Sequence, residues 1–361
     1  MSQHEQTIKE YLQRLDPKRL GLDEVKSITV RKLGLGESNL NYLAITGGKK
    51  FVIRVNMDPN SPLKSEREYN SLKAVESLGI APRAFHFEPS KDYVGEAFII
   101  LEYLEGTSLD KCRKVDRGIM KSLARVVACL HKTNVENLKE ELGRSRTSKR
   151  DIMCEIRERI NYINAKRRKH FGENKYFESI LTIPYEELEK LKFAEEPCHV
   201  LGHGDIAPQN VILSDGKLKL VDWEDLGLID PALEIAIIFD SFDLSDRRKE
   251  LFLKEYEASR NDAGLRKKIP IYWLFQLFGV FCWSIMHVYE IGEQEMHEEF
   301  LKEQDLTGHV SYTRKIFNKC QREGIIDKKV QWSPSEMFPT KYLNARYGGK
   351  EDCYRNEETH S

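Results

Sequence analysis

Apolar positions alternate with polar ones through much of the first hundred residues and recur at helical spacing through most of the rest. After a polar amphipathic helix at the start, MSQHEQTIKEYLQRLD, alternation predicts three short strands, SITVRKL (27–33), NYLAIT (41–46) and KFVIRVN (50–56). Gly47-Gly48 turns the last two into a hairpin. Asp58-Pro59-Asn60-Ser61-Pro62 breaks the chain, and KSEREYNSLKAVESLG predicts a helix ending at Gly79. AFIILEY (97–103) reads as a further strand, closed by Glu105-Gly106-Thr107. Beyond Gly106, helices are predicted over 116–133, 150–170, 184–193, 230–258 and 269–319, interrupted by one β-rich segment at 199–222. Strands first and helices later imply an α+β fold with two lobes. The division is a small antiparallel-sheet lobe with one helix over 1–101, a join at 102–107, and a larger, mostly helical lobe over 108–327. Pro334, Pro339 and Gly348-Gly349 mark 328–361 as a loosely held tail.

One stretch is ambiguous by pattern alone. Ile269 to Tyr289 contains no Asp, Glu, Lys or Arg and is long enough for a membrane span. Pro270, Gln276, Gly279, Ser284 and His287 interrupt it, so a buried helix of the second lobe is expected and no span. Composition agrees: the 361 residues are 40% hydrophobic and 32% charged, with a mean hydropathy of −0.54. Lys+Arg (57) and Asp+Glu (58) nearly cancel, which argues against a chain built to coat nucleic acid. The basic run at 144–170 includes Arg144, Arg146, Lys149, Arg150, Arg167, Arg168 and Lys169, and reads as a solvated helix face, since no RNA-binding motif accompanies it. Seven scattered cysteines without a C-x-x-C pair argue against a cysteine zinc site and a disulfide framework. With no signal-peptide pattern at the start, the cytoplasm is expected.

The chemistry concentrates in CHVLGHGDIAPQNVILSDGKLKLVDWEDLGLIDPALEIA (198–236). Asp205 closes VLGHGD, Asn210 follows five positions later, and the hairpin around Ser214-Asp215-Gly216-Lys217 delivers Asp222 at a strand end. Three oxygen-bearing side chains thus share two adjacent loops. Phosphoryl transfer needs such a set: a carboxylate to take the proton of the attacking hydroxyl, and hard oxygen ligands for Mg²⁺. The protein-kinase template has the same order, with HGD here in place of HRD and DWE in place of DFG.

The ordered set H-G-D-x-x-x-x-N, V-D-W-E and D-P-A-L-E resembles the aminoglycoside phosphotransferase/choline kinase superfamily over roughly residues 25–320. The family's D-P-x-x-D-L-A stands here with Glu234 in place of its second Asp. The resemblance implies a two-lobed protein-kinase-like fold. It also implies ATP as donor and Mg²⁺ as cofactor, with Asp205 as catalytic base and Asn210 and Asp222 as metal ligands. The loop Gly34-Leu35-Gly36-Glu37-Ser38-Asn39 resembles the family's G-x-S/T-N loop over the phosphates. Arg54 stands where protein kinases place Lys, and its partner acid is Glu68 by the E-x-x-x-L pattern, with Glu66 the second choice. Within LEYLEG (101–106), Glu102, Tyr103 and Leu104 resemble the hinge, whose backbone would hold the base of ATP or GTP alike. His203 and His131 are expected to brace the structure.

The acceptor implied is a small molecule bearing a hydroxyl. LFGVFCWSIMHVYEIGE (277–293) resembles the aromatic helix of choline and ethanolamine kinases, which makes Trp283, with Glu224, a substrate-site candidate. Trp273, Tyr272, Phe281 and Tyr289 share that region. The acids Glu290, Glu293, Glu295, Glu298, Glu299 and Glu303 offer a second cue, toward polycationic sugars. A protein kinase is disfavoured because only eight residues separate Asp222 from Asp230, too few for an activation loop. A non-catalytic nucleotide-binding regulator is the other alternative, and loss of Mg-dependent turnover in Asp205→Ala discriminates against it. The sequence leaves the oligomeric state open.

Overall fold

The computed structural model describes residues 2–58, 60–113, 115–134, 145–172, 174–192, 199–260, 262 and 264–343. Helix α1 (Gln3–Arg14) opens on a capping box in which Ser2 and Glu5 bond each other's backbone. Strands β1 (Thr29–Leu35), β2 (Asn39–Thr46) and β3 (Lys49–Asn56) form a meander. Gly47 and Gly48 both take positive φ in the β2–β3 turn, as the two-residue hairpin requires. Next come α2 (Ser61–Val75), β4 (Ala84–Glu88), β5 (Phe98–Glu102) and β6 (Thr107–Ser108). The antiparallel five-stranded sheet runs β1-β2-β3-β5-β4.

The chain continues through α3 (Arg117–His131), β7 (Ser145–Arg146), α4 (Lys149–Phe171), α5 (Lys175–Phe177) and α6 (Ile183–Lys190). Then follow β8 (Val200–Gly202), β9 (Val211–Ser214), β10 (Lys217–Leu220) and β11 (Gly227–Ile229), and helices α7 (Pro231–Ser241), α8 (Asp246–Ser259) and α9 (Leu265–Gly292). Last are α10 (Glu298–Leu301), α11 (Leu306–Arg322), α12 (Pro334–Met337) and α13 (Thr340–Leu343). Two small sheets serve the loops between them: β10-β9-β6, and β7-β11-β8 with β7 parallel to β11.

Two compact units divide this path. One combines Met1–Glu155 with Leu188–Leu277; the other combines Ile156–Glu187 with the chain from Phe278 onward. In the first, Ile8, Tyr11 and Leu12 of α1 join Phe51, Ile53 and Val55 of β3 and Phe98 and Ile100 of β5 in one apolar cluster. The two-residue period of β3 therefore turns Arg54 to the opposite face, where α2 lies. In the second, Phe278, Phe281, Cys282, Ile285, Val288 and Tyr289 of α9 are buried. The helix is long and apolar enough to cross a membrane by length and composition, and much of it is buried inside the fold.

Several boundaries differ from the sequence expectation. Helix α2 starts at Ser61, because Pro62 fits its first turn instead of ending the preceding segment. The stretch 230–258 is two helices: Asp243 sits at φ +46 between them while Leu244 stays buried, so the apolar spacing runs on across the break. The stretch 269–319 likewise divides after Gly292, and α9 begins four residues early. Strand β4 went unpredicted, and β6, β7 and β11 are too short to carry a period. Arg144, Cys198, Cys353 and the end of the tail lie outside the described residues.

Candidate active site

Arg54 links the sheet to the loops below it. Its Nε lies 3.0 Å from Glu68 Oε2, its Nη2 donates to Asp222 Oδ1, and Glu224 Oε2 is 3.8 Å away. Glu68 is 3% exposed whereas Glu66 is exposed, so α2 turns Glu68, not Glu66, onto Arg54. Burial works against the Arg54 charge, but Asp222, Glu68 and Glu224 outweigh it and raise its pKa. Burial also pushes Glu68 upward, aided by the charges of Asp222 and Glu224 and opposed by Arg54.

The loop after β8 is pinned at every step. His203 donates from Nε2 to Val221 O (3.0 Å) and accepts the Asp205 amide at Nδ1 (3.3 Å), which leaves neither nitrogen for proton transfer. Its ring packs on Trp223, fully buried, whose indole N–H donates to Leu220 O. Gly204 sits at φ +85, and a Cβ there would fall 2.9 Å from Asp225 O. The Gly204 amide donates to Glu234 Oε1 at 2.8 Å. Glu234 is fully buried, and its other oxygen lies 2.5 Å from His131 Nε2. Asn210 Nδ2 donates to both the backbone oxygen (3.0 Å) and Oδ2 (2.8 Å) of Asp205. Burial raises the Asp205 pKa, with the charges of Asp222 and Asp225 adding to it against His203 and Asn210.

Asp215 and Gly216, both at positive φ, form the two-residue turn between β9 and β10 that carries the chain to Asp222. Asp222 itself holds φ +70, a left-handed conformation uncommon for a residue with a side chain. Glu224 follows, raised by burial and by Asp222, and accepts from Asn39 Nδ2 at 3.4 Å. Asn39 is 4% exposed, and its Oδ1 has no hydrogen-bond partner. Among the described residues no three His, Cys, Asp or Glu side chains form a closed metal cage. Mg²⁺ does not need one: it takes one or two carboxylates and completes its shell with water and phosphate oxygens. The oxygen donors of Asp222 and Asn210 fit that requirement.

The remaining candidates divide. In the loop between β1 and β2, the Gly36 amide donates to Asn39 O (2.8 Å) and Ser38 O accepts the Met57 amide (2.7 Å), while at Gly34, still within β1, the space a side chain would take is open. Of the three hinge amides, Glu102 donates to Arg83 O and Tyr103 to Lys50 O, and among the described residues the Leu104 amide has no backbone acceptor. Trp283 belongs to the second unit, stacked on His287 (4.9 Å) and edge-on to Tyr312 (6.5 Å), and it is partly exposed. Phe281 and Tyr289 are fully buried there, as is Tyr272 in the first unit. Trp273 lies under Lys249. The acidic cue is already answered from within: Glu293 bonds Tyr342 and His170, Glu295 bonds Tyr162 and Lys166, and Lys302 pairs with Glu298 and Glu299.

Sequence reasoning missed Asp225, Arg146 and the Asn39–Glu224 contact. Arg146 was hidden in a basic run, and the other two needed the fold. The D-P of DPALE starts α7, with Asp230 accepting the Ala232 amide at 2.9 Å and Pro231 in the first turn.

Comparison with known proteins supplies the class. Protein LicA of Haemophilus influenzae is 26% identical over 231 residues, 64% of this chain and 63% of that protein, so the match spans somewhat under two thirds of the relative. Choline kinase LicA from Streptococcus pneumoniae has the same fold, with a TM-score of 0.59 at 23% identity over 88% of this chain and 100% of that one. So has an aminoglycoside phosphotransferase solved in ternary complex with ADP and hygromycin B, with a TM-score of 0.61 at 15% identity over 90% and 99%. Residues 29–267, which carry the Arg54–Glu68 pair, the pinned Asp205 loop and the Asp222 loop, match the phosphotransferase enzyme family. The chain belongs to that family.

Proposed function

We propose that this chain transfers the γ-phosphoryl group of ATP to the hydroxyl of a small cationic amino alcohol of the choline or ethanolamine type, with Mg²⁺ as cofactor. The observation that carries the reading is the pair of loops: Asn210 grips the Asp205 carboxylate at 2.8 Å while Asp222 meets Arg54. Asp205 accepts the proton of the attacking hydroxyl. Its raised pKa brings it closer to the working pH, where a base is most effective. Asn210 fixes the direction of that carboxylate, and His203 holds the loop beneath it. Asp222 and Asn210 would hold Mg²⁺, which when bound neutralises charge on the phosphates. Arg54, kept charged by its acids and aligned by Glu68, is the protein's cation for the phosphates. The Leu104 amide is the hinge donor for the base, which suits ATP and GTP alike. Each unit offers its own acceptor candidate, the Glu224 carboxylate in the first and the Trp283 aromatic face in the second, and either kind of group attracts an ammonium. The likeness to LicA proteins, one a choline kinase by name, supports an amino alcohol over an aminoglycoside. All five described cysteines are free, in keeping with the reducing cytoplasm.

The test is ADP release from Mg·ATP by the purified chain across amino alcohols, aminoglycosides, sugars and vitamins. Release stimulated by choline or ethanolamine and lost in Asp205→Ala is expected. Stimulation confined to another class overturns the acceptor, and stimulation that survives Asp205→Ala overturns the base.

A further inference from the structure

The basic run at 144–170 reads as a solvated face, yet Arg146 turns inward. It lies on β7, where parallel pairing with β11 sets it opposite Ile229, and the Asp230 amide donates to its carbonyl at 3.1 Å. Its side chain is 13% exposed. Nε donates to Glu155 Oε1 at 2.8 Å, Nη1 donates to Gly204 O at 3.3 Å, and Nη2 lies 3.9 Å from Asp225 Oδ2. One guanidinium therefore reaches both loops that carry the chemistry. Gly204, the residue before Asp205, is held through its amide by the Glu234 carboxylate and through its carbonyl by a cation. In the protein-kinase template this position bears the motif's own Arg. Here it is a glycine at φ +85, and the cation arrives from another strand. The void bounded by Arg146, Gly204, Asp225 and Gly227 is about 10 Å³, room for a single water at most, so the guanidinium fills the back of the loop.

We infer that Arg146 is a positioning residue for phosphoryl transfer: it ties the Gly204 carbonyl to Asp225 and so keeps Asp205 and Asp222 in register. The inference rests on the proposed role of Asp205. A planar fork holds its two acceptors, Glu155 Oε1 and Gly204 O, at fixed angles while its charge faces Asp225, whereas the donors of an ammonium rotate. Misplacement of reacting groups by about 1 Å costs on the order of 10²-fold in rate, so loosening this tie should act on turnover before binding.

The experiment compares Arg146→Met, Arg146→Lys and Glu155→Gln in the full chain. It reads kcat for ADP release with choline as acceptor, the Kd of Mg·ATP by calorimetry, the melting temperature, and amide hydrogen exchange over 203–206. Arg146→Met is expected to lower kcat by about 10- to 100-fold while Mg·ATP affinity stays within about twofold. Exchange at Gly204 and Asp205 should quicken. Arg146→Lys should recover part of the loss, and Glu155→Gln, which keeps an acceptor for Nε but removes the negative charge facing the guanidinium, should produce a smaller fall. Wild-type kcat and exchange in Arg146→Met overturn the inference, as does a loss that tracks the melting temperature and gains nothing from Lys. If Arg146→Met does not fold, unchanged kcat and exchange in Glu155→Gln overturn it. The exchange measurement needs no acceptor, so it decides even if choline is not used. Turnover retained by Asp205→Asn sinks the proposed base itself. An inactive Asp205→Asn beside an unimpaired Arg146→Met sinks this inference alone.

Discussion

The first unit crowds Asp205, Asp222, Glu224 and Asp225 onto two loops; the second strings Glu290, Glu293, Glu295, Glu298 and Glu299 along the end of α9 and just beyond it. In the first group, burial and mutual repulsion raise Asp205 and Glu224, with Arg54 and the Asn210 amide only partly compensating. In the second, hydrogen bonds from Tyr342 and His170 lower Glu293, and at Glu295 Lys166 and Tyr162 outweigh burial. The second group is the denser along the sequence, yet it is in the first that carboxylates are raised. A functional site is where carboxylates outnumber the protein's own cations, leaving demand for a cation from outside.

Replacing one acid in each group separates the two. Asp205→Asn should keep the fold and nucleotide binding and lose transfer by on the order of 10²–10⁴, read as ADP release under saturating acceptor. Turnover near wild type would remove Asp205 from the chemistry and with it the special standing of the first group.

Metal dependence sharpens the contrast further. Asp222→Ala should weaken Mg·ATP binding more than Asn210→Ala, since only the carboxylate contributes charge. Calorimetry gives the order directly; equal, small losses would count against this metal assignment.

Next in size is the aromatic face of the second unit. Trp283→Leu should raise the KM for a cationic amino alcohol, by roughly 0.5–2 kcal/mol in binding, and leave Mg·ATP affinity alone. A lowered melting temperature with unchanged KM would make Trp283 a packing residue.

The smallest effect belongs to the answered acids. Glu293→Gln with Glu295→Gln should leave the acceptor KM untouched and cost at most about 1 kcal/mol per pair, because Glu295 is 40% exposed and Glu293, at 21%, still reaches screening solvent. Both pKa values are lowered on folding, so the contribution is present above the unfolded value of about 4.3 and is lost as pH falls through the folded values. The doubly substituted chain should therefore lose less stability on acidification, as a denaturant titration at each pH would detect. A shifted KM instead would reinstate these acids as part of an acceptor pocket.

Much of this was legible in the sequence. Alternation in KFVIRVN puts Arg54 opposite its apolar neighbours, and the spacing of Asp205, Asn210 and Asp222 contains the two loops and their hairpin. The E-x-x-x-L pattern already put Glu68 ahead of Glu66, two residues away, and the rotation of α2 turns Glu68 onto Arg54. The joining of 230–258 into one helix failed because buried Leu244 continues the apolar spacing through a left-handed break. Arg146 looked like its basic neighbours because a two-residue strand has no period to betray which way a side chain turns.

Glu234 carries a practical warning for anyone repairing this chain by family consensus. Its carboxylate spans from the Gly204 amide to His131 because it stands one methylene further from the backbone than the family's usual Asp. Restoring that Asp would retract the carboxylate by about 1.5 Å, the length of one carbon–carbon bond, inside a packed core. One grip or the other would open, stranding either a buried amide or a buried imidazole. The commoner residue is thus the worse one here, and a lower melting temperature for Glu234→Asp is how that mismatch would register.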